Sequence, residues 1–332
     1  MLLLLADDAF RDHVAGPGHP EQPARLAAVA EAFARPELDG AVRRLAPRTA
    51  TDAELERVHH RAMLDRLGAL EGRIGRLDAD TGVSERSVEL ARLAAGAGLA
   101  ATEALAAGDA SAAVCAVRPP GHHATPERSM GFCLINNVAV TAAALAEAGE
   151  RVLVADFDAH HGNGTQDCFV DDDRVLFVSW HQYPLYPGTG HPTERGVGAG
   201  EGTSVNVAVP AGATGDLYLE SLDGVVGQVI DRFAPTWLLV SAGFDAHERD
   251  PLTDLALRSG DFGRIVSVLR SAVPSGRTVV FLEGGYDLDA LRDSMAATAA
   301  ALLGEVVHPE APTSGGPRGD VLDRLATVHG LR

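Results

Sequence analysis

The chain has 332 residues, 46% hydrophobic and 22% charged, with 28 basic against 46 acidic residues and a formal net charge of −18. The apolar share can bury a large core, while the acidic excess argues against a nucleic-acid or anionic-membrane binder, since those use basic patches. Cationic substrates such as lysine side chains or polyamines remain compatible, as does the plainer reading that acidity serves solubility.

The apolar start Leu2–Ala6 lacks a basic leader and runs straight into Asp7 and Asp8. It is expected to be a short first strand rather than a signal peptide. Further strands are expected at Ala112–Val117, Val152–Asp156, Val175–Ser179, Val205–Val209, Trp237–Ser241 and Thr278–Leu282. Helices are expected at Gln22–Ala34, Ser87–Ala107, Ile135–Ala148, Leu217–Arg232, Ser259–Ser271 and Leu288–Leu303. The tail Pro309–Gly319 reads as a loop, followed by a last helix over Asp320–Val328. Near-continuous apolar strands alternating with amphipathic helices predict an α/β fold, a parallel sheet covered on both faces. Length alone suggests roughly two domains. No linker or composition shift precedes residue 305, however, and the candidate chemical residues spread from 118 to 286, which favours one. No stretch approaches the ~20 apolar residues of a membrane span. Cys115, Cys133 and Cys168 have no zinc-ribbon spacing and leave one odd thiol, which fits a reducing, cytoplasmic setting.

Five stretches rich in reactive side chains follow five of these strands: Arg118–His123, Asp156–His160, Ser179–His181, Asp245 and Glu283–Tyr286. In open α/β sheets the carboxyl edge of the strands is where ligands bind. Asp158 and His160 are two apart on an extended segment and so point the same way. Asp245 can join them from a neighbouring strand. Two carboxylates and one imidazole with open positions suit a catalytic zinc, although Fe(II) could replace it in an oxygen-rich site. Asp156, one alternation from Asp158, suits a group that orients a histidine or holds another cation.

The adjacent pair His122-His123 on a Pro/Gly turn invites an acid–base reading. Two imidazoles beside a cation repel each other's protons, so their pKa values should split. Tyr286, in Glu283-Gly284-Gly285-Tyr286, could steady a developing oxyanion. Gly131-Phe132 and the segment Tyr183–Gly190 could wall a narrow channel.

Several of these stretches resemble the zinc-dependent histone deacetylase and acetylpolyamine amidohydrolase family. The likeness rests on Arg118–His123, Gly131-Phe132-Cys133, Asp156–Gly164, Pro187–Gly190, Gly243–Asp245 and Glu283–Tyr286. Gly18–Leu26 and Leu93–Ala97 look like the family's class II branch. The resemblance spans about residues 10–305, in the family's order, and leaves a C-terminal loop and helix at 306–332; residues 1–332 are expected to form a single deacetylase domain.

It implies the arginase–deacetylase fold, a central, mostly parallel eight-stranded sheet flanked by helices on both faces. It implies Asp158, His160 and Asp245 as the metal ligands and one catalytic Zn2+. His123 matches the general acid–base and Asn163 its partner. His122 matches its electrostatic neighbour, paired with Asp156. Tyr286 matches the carbonyl-polarising tyrosine. Phe132 and Tyr186 resemble the channel walls, Gly131 and Gly284 lie at the channel, and Asp80 matches the rim aspartate that holds substrate amides. Asp156, Ser179 and the backbone near Asp158, His160 and Trp180 resemble a structural K+ site.

Arginases share the fold but need two further carboxylates, where this chain has Gly162 and His247. A dimetal ureohydrolase is therefore not expected. The implied reaction is hydrolysis of a linear amide, an acetyl or short acyl group on a primary amine. At the position of the acidic gatekeeper of polyamine-selective members stands Leu252. That favours acyl-lysine in proteins or peptides, with an acetylated polyamine as the alternative. Deacylation of another small metabolite, or an acyl-lysine-binding module without catalysis, completes the alternatives. The Ala/Arg/Gly-rich composition hints at a bacterial source. No nucleic-acid or membrane partner is expected, and a homo-oligomer is compatible with the sequence.

Overall fold

Eight parallel strands lie in the order β2-β1-β5-β10-β9-β6-β7-β8 in the computed structural model of this protein, which describes residues 1–308 and 310–331. They are β1 (Leu2–Leu5), β2 (Val42–Leu45), β5 (Ala112–Cys115), β6 (Val152–Asp156), β7 (Val175–Gln182), β8 (Ser204–Val209), β9 (Trp237–Ala242) and β10 (Thr278–Leu282). A small antiparallel hairpin, β3 (Gly75–Arg76) with β4 (Gly82–Val83), stands apart from the sheet. Every residue of β6, β7, β9 and β10 is buried. That explains why these strands read as unbroken apolar runs, because helices cover both faces.

The helices are α1 (Ala24–Phe33), α2 (Asp52–Leu55), α3 (Arg61–Gly68), α4 (Ser87–Ala106), α5 (Asn137–Glu147), α6 (Asn163–Phe169), α7 (Gly215–Asp223), α8 (Val225–Phe233), α9 (Ser259–Leu269), α10 (Leu288–Leu303) and α11 (Val321–Val328). α4 and α5 pack on each other and on the central strands, and α1, α9 and α10 form a second packed group.

The structure departs from the sequence pattern at identifiable places. β2 reads Val-Arg-Arg-Leu and is half exposed, so it carries no apolar run. The expected helix Leu217–Arg232 is two helices, broken where Gly224 takes φ −107° and ψ −115°. Pro309, the first residue of the expected C-terminal loop, lies outside the described residues. Farther along that loop, Thr313 donates its hydroxyl to buried Asp261 at 2.7 Å. Among the described residues, no helix is long and apolar enough to cross a membrane.

The parallel arrangement has one consequence for chemistry. The segments that leave β5, β6, β7, β9 and β10 all emerge at one edge of the sheet. β6 lies between β9 and β7, with Asp156 level with Ser241 on one side and Ser179 on the other.

Candidate active site

Asp158 and His160 stand just beyond β6, and Asp245 just beyond the adjacent β9. Their ligand atoms all lie within 4.8 Å of one another. His160 Nδ1 is 3.2 Å from Asp158 Oδ1 and 3.0 Å from Asp245 Oδ2. Backbone amides orient the carboxylates: Gly284 N–H donates to Asp158 Oδ2 at 2.9 Å, and Ala159 N–H to Asp245 Oδ1 at 2.8 Å. Only glycine fits at 284, since a Cβ there would sit 2.4 Å from Asp245 Oδ2 and 2.6 Å from Asp158 Oδ2.

The donor set fits a divalent cation. Two buried carboxylates face a common point and require positive charge. The pull of the two carboxylates shows at His160: burial opposes its charge, but hydrogen bonds to Asp158 and Asp245 outweigh this and raise its pKa to about 10. A divalent ion beside a neutral imidazole would balance the two carboxylates, which is the usual zinc chemistry of such ligands.

A second group of potential ligands, His122, Cys133 and Glu283, also lies close together. The carboxylate of this group is already satisfied by the protein. Glu283 Oε2 accepts from the Gly121 and His122 amides at 2.7 and 3.2 Å, and Ser241 donates to Oε1 at 3.3 Å. Burial, followed by the charge of Glu283, raises the Cys133 thiol well above its ordinary value and keeps it protonated. This cluster braces the His122-His123 turn.

The two histidines of that turn have different partners. Their ring centroids are 4.0 Å apart. His122 Nδ1 meets Asp156 Oδ2 at 2.9 Å, whereas His123 Nδ1 meets Asn163 Oδ1 at 2.8 Å. Burial works against charge on His122, but Asp158 and Asp156 overcome it and raise its pKa to about 10. Burial lowers His123 well below its ordinary value, and the charges of His122 and His160 push it further down. His123 is therefore neutral. The Asn163 amide nitrogen faces Met130 Sδ, so its oxygen accepts the Nδ1 proton of His123. His123 Nε2 keeps its lone pair.

These groups line a cavity of about 230 Å³. His122, His123, Asp158 and His160 lie on its wall together with Gly284 and Tyr286. Phe132 stands with its ring centroid 6.0 Å from that of Tyr286, and Tyr186 stands 5.2 Å from His123. Gly131 has φ +57°, and a Cβ on it would come within 2.6 Å of the His123 ring. Leu252, Leu185, Asp80, Pro120 and Cys133 complete the lining. Asp156 and Asn163 lie behind the wall and act through the histidines in front of them, while Asp245 faces Asp158 and His160 at the candidate metal position. Ser179 neighbours Asp156 across the sheet, but its hydroxyl contacts His181 Nδ1 at 2.9 Å rather than the cavity.

Sequence reasoning missed a buried ionic network beneath the site. Glu21, Arg25, Arg118 and His13 are all at most 1% exposed. Arg118 forms a fork on Glu21, donating from Nη2 to Oε2 at 2.7 Å and from Nε to Oε1. Arg25 donates to Glu21 Oε1 at 3.2 Å and to the Gly285 carbonyl at 2.8 Å, and its guanidinium carbon lies 5.2 Å from the Tyr286 ring centre. The available signal was Glu21 and Arg25, four residues apart at the start of an apolar helix.

Comparison with known proteins gives a consistent result. The family model for the histone deacetylase domain matches residues 19–302. A probable deacetylase of Archaeoglobus fulgidus is 38% identical over 291 residues, covering 85% of this chain and 80% of that protein. A histone deacetylase-like amidohydrolase of Pseudomonas aeruginosa is 38% identical over 282 residues, covering 82% of this chain and 73% of that protein. Among solved structures, that of the HDA15 HD domain aligns with a TM-score of 0.90 at 33% identity, over 99% of this chain and 95% of the other.

Proposed function

This chain belongs to the histone deacetylase family and is a metal-dependent deacetylase, and from that premise we propose that it removes acetyl or short acyl groups from lysine side chains in proteins or peptides. The observation that carries the substrate reading is the mouth of the cavity. Leu252 and Leu185 stand there with Phe132 and Tyr186. Such a wall suits the four methylenes of a lysine stem and offers no carboxylate at Leu252 for a remote ammonium. An acetylated polyamine is the second reading, favoured by Asp80 at the same mouth and by the net charge of −18.

In this proposal Asp158, His160 and Asp245 hold the ion, Zn2+ in preference to Fe2+. A divalent ion there would supply Lewis acidity towards a water and towards the acyl oxygen. His123 Nε2 takes the proton of the attacking water while the water oxygen bonds to the acyl carbon. It then gives that proton to the lysine nitrogen as the carbon–nitrogen bond breaks. The Tyr286 hydroxyl donates a hydrogen bond to the acyl oxygen as negative charge develops on it. His122, paired with Asp156, remains charged and contributes field. Phe132 and Tyr186 flank the stem and exclude water, Gly131 and Gly284 leave room for the acyl group, and Asp80 receives backbone amides of the substrate. A structural K+ beside Asp156 and Ser179, class II kinship, a bacterial cytoplasmic setting and a single deacetylase unit over 1–332 belong to the same reading.

The test compares kcat/KM of the metal-loaded enzyme on acetyl-lysine peptides, acetylspermidine and acetylputrescine. Peptides are expected to lead. Preference for either polyamine would overturn the lysine assignment and leave the deacetylase activity standing.

A further inference from the structure

One buried carboxylate ties the channel mouth to the tyrosine loop. Asp250 is 7% exposed and sits five residues beyond Asp245. Its Oδ2 accepts the backbone N–H of Tyr286 at 2.7 Å, and its Oδ1 accepts the backbone N–H of Leu252 at 3.0 Å. Both oxygens are thus committed, one to each side of the cavity. The segment is pinned elsewhere as well: Thr253 donates its hydroxyl to the Asp245 carbonyl at 2.6 Å, and Asp254 exchanges hydrogen bonds with Gln182 at 2.9 and 3.1 Å. Against this fixed frame, Asp250 sets where Tyr286 and Leu252 stand relative to each other.

We infer that Asp250 is a positioning residue that couples Leu252, at the substrate entrance, to Tyr286, at the reacting carbonyl. The inference rests on the role given to Tyr286 above. A side chain that only supported the fold would lower stability without distinguishing the two positions. A shared anchor predicts a split, with kcat following Tyr286 and KM following Leu252.

The test is a double-mutant cycle on the metal-loaded enzyme with an acetyl-lysine peptide, using Asp250→Asn, Tyr286→Phe and the pair. Metal content and Tm establish that each variant is folded and loaded. Asp250→Asn keeps the shape but turns an amide N–H towards one of the two backbone donors. Its kcat is expected to fall about 10- to 100-fold, the scale of a small misplacement at a reacting centre. In the Tyr286→Phe background kcat should fall little further, while the rise in KM persists in both. Unchanged kcat in Asp250→Asn, or equal kcat losses in both backgrounds, would overturn the coupling. Full kcat in Tyr286→Phe would instead remove the role of the tyrosine, and this inference with it. If Asp250→Asn does not fold, Asp250→Ser, which keeps one acceptor and buries no charge, carries the same cycle.

Discussion

His123 reaches Asn163 at 2.8 Å through Nδ1, so one of the two histidines that line the cavity is backed by a neutral amide. Its neighbour His122 is backed by the Asp156 carboxylate at 2.9 Å. Adjacent residues of one type therefore have opposite protonation habits: Asp158 and Asp156 hold a proton on His122, while burial and the charges of His122 and His160 keep His123 neutral.

Replacing Asn163 with Asp should shift the acidic limb of the pH–rate profile upward. A carboxylate on Nδ1 favours imidazolium, so His123 would have to lose its proton at a higher pH before accepting one from water. An opposite charge at hydrogen-bond distance is worth about 1–3 pH units. The measurement is kcat/KM from pH 5 to 10 for both proteins; a limb that stays in place removes the argument.

His123→Ala and His122→Ala should differ in severity. Loss of a proton-transferring group costs about 10²–10⁴-fold in rate, and that loss belongs to His123. His122→Ala removes charge but leaves the base in position, so its kcat should stay well above that of His123→Ala. Equal losses would mean that the pair acts as one unit.

Acid stability should depend on Glu21. Burial pushes this carboxyl up, but Arg118 and His13 outweigh it and hold its pKa well below the ordinary value of 4.5. A carboxyl depressed in the folded state contributes stability that is fully present above the unfolded pKa. That contribution fades as pH falls below about 4.5 towards the folded value. Glu21→Gln should therefore destabilise the protein at pH 7 by about 3–5 kcal/mol, because it leaves buried arginine uncompensated. It should also flatten the fall in stability below pH 4.5. Urea titrations of both proteins at several pH values would show this.

Acylating reagents should leave nearly all of the surface charge untouched. All 28 basic residues of this sequence are arginines, and none is a lysine. Treatment with acetyl phosphate should add mass only at the amino terminus, with the deacetylase activity retained. Acetyl groups found at several internal positions by mass spectrometry would contradict this.

Much of the site was legible because its parts are local. Asp158 and His160 share a face through the two-residue repeat of extended chain, and His123 follows His122 on a stiffened turn. The main strands were readable because burial on both faces imposes unbroken apolar runs. β2 was not, because an edge strand with two arginines carries no such run. The four-residue α2 and the seven-residue α6 were also too short to impose a periodic pattern.

The sequence by itself determined which chemical groups are available and that they leave the sheet at one edge. Tertiary structure decided which groups meet. Asp245 reaches His160 across 85 residues because β9 lies beside β6. Arg118 reaches Glu21 across 97 residues, and Asp250 reaches Tyr286 across 36. The physical reason is the range of the interactions. Backbone geometry and side-chain periodicity are set by neighbours in the chain. The partner of a buried charge is set by strand order, and it must exist because an unpaired charge in a dry interior is too costly to keep.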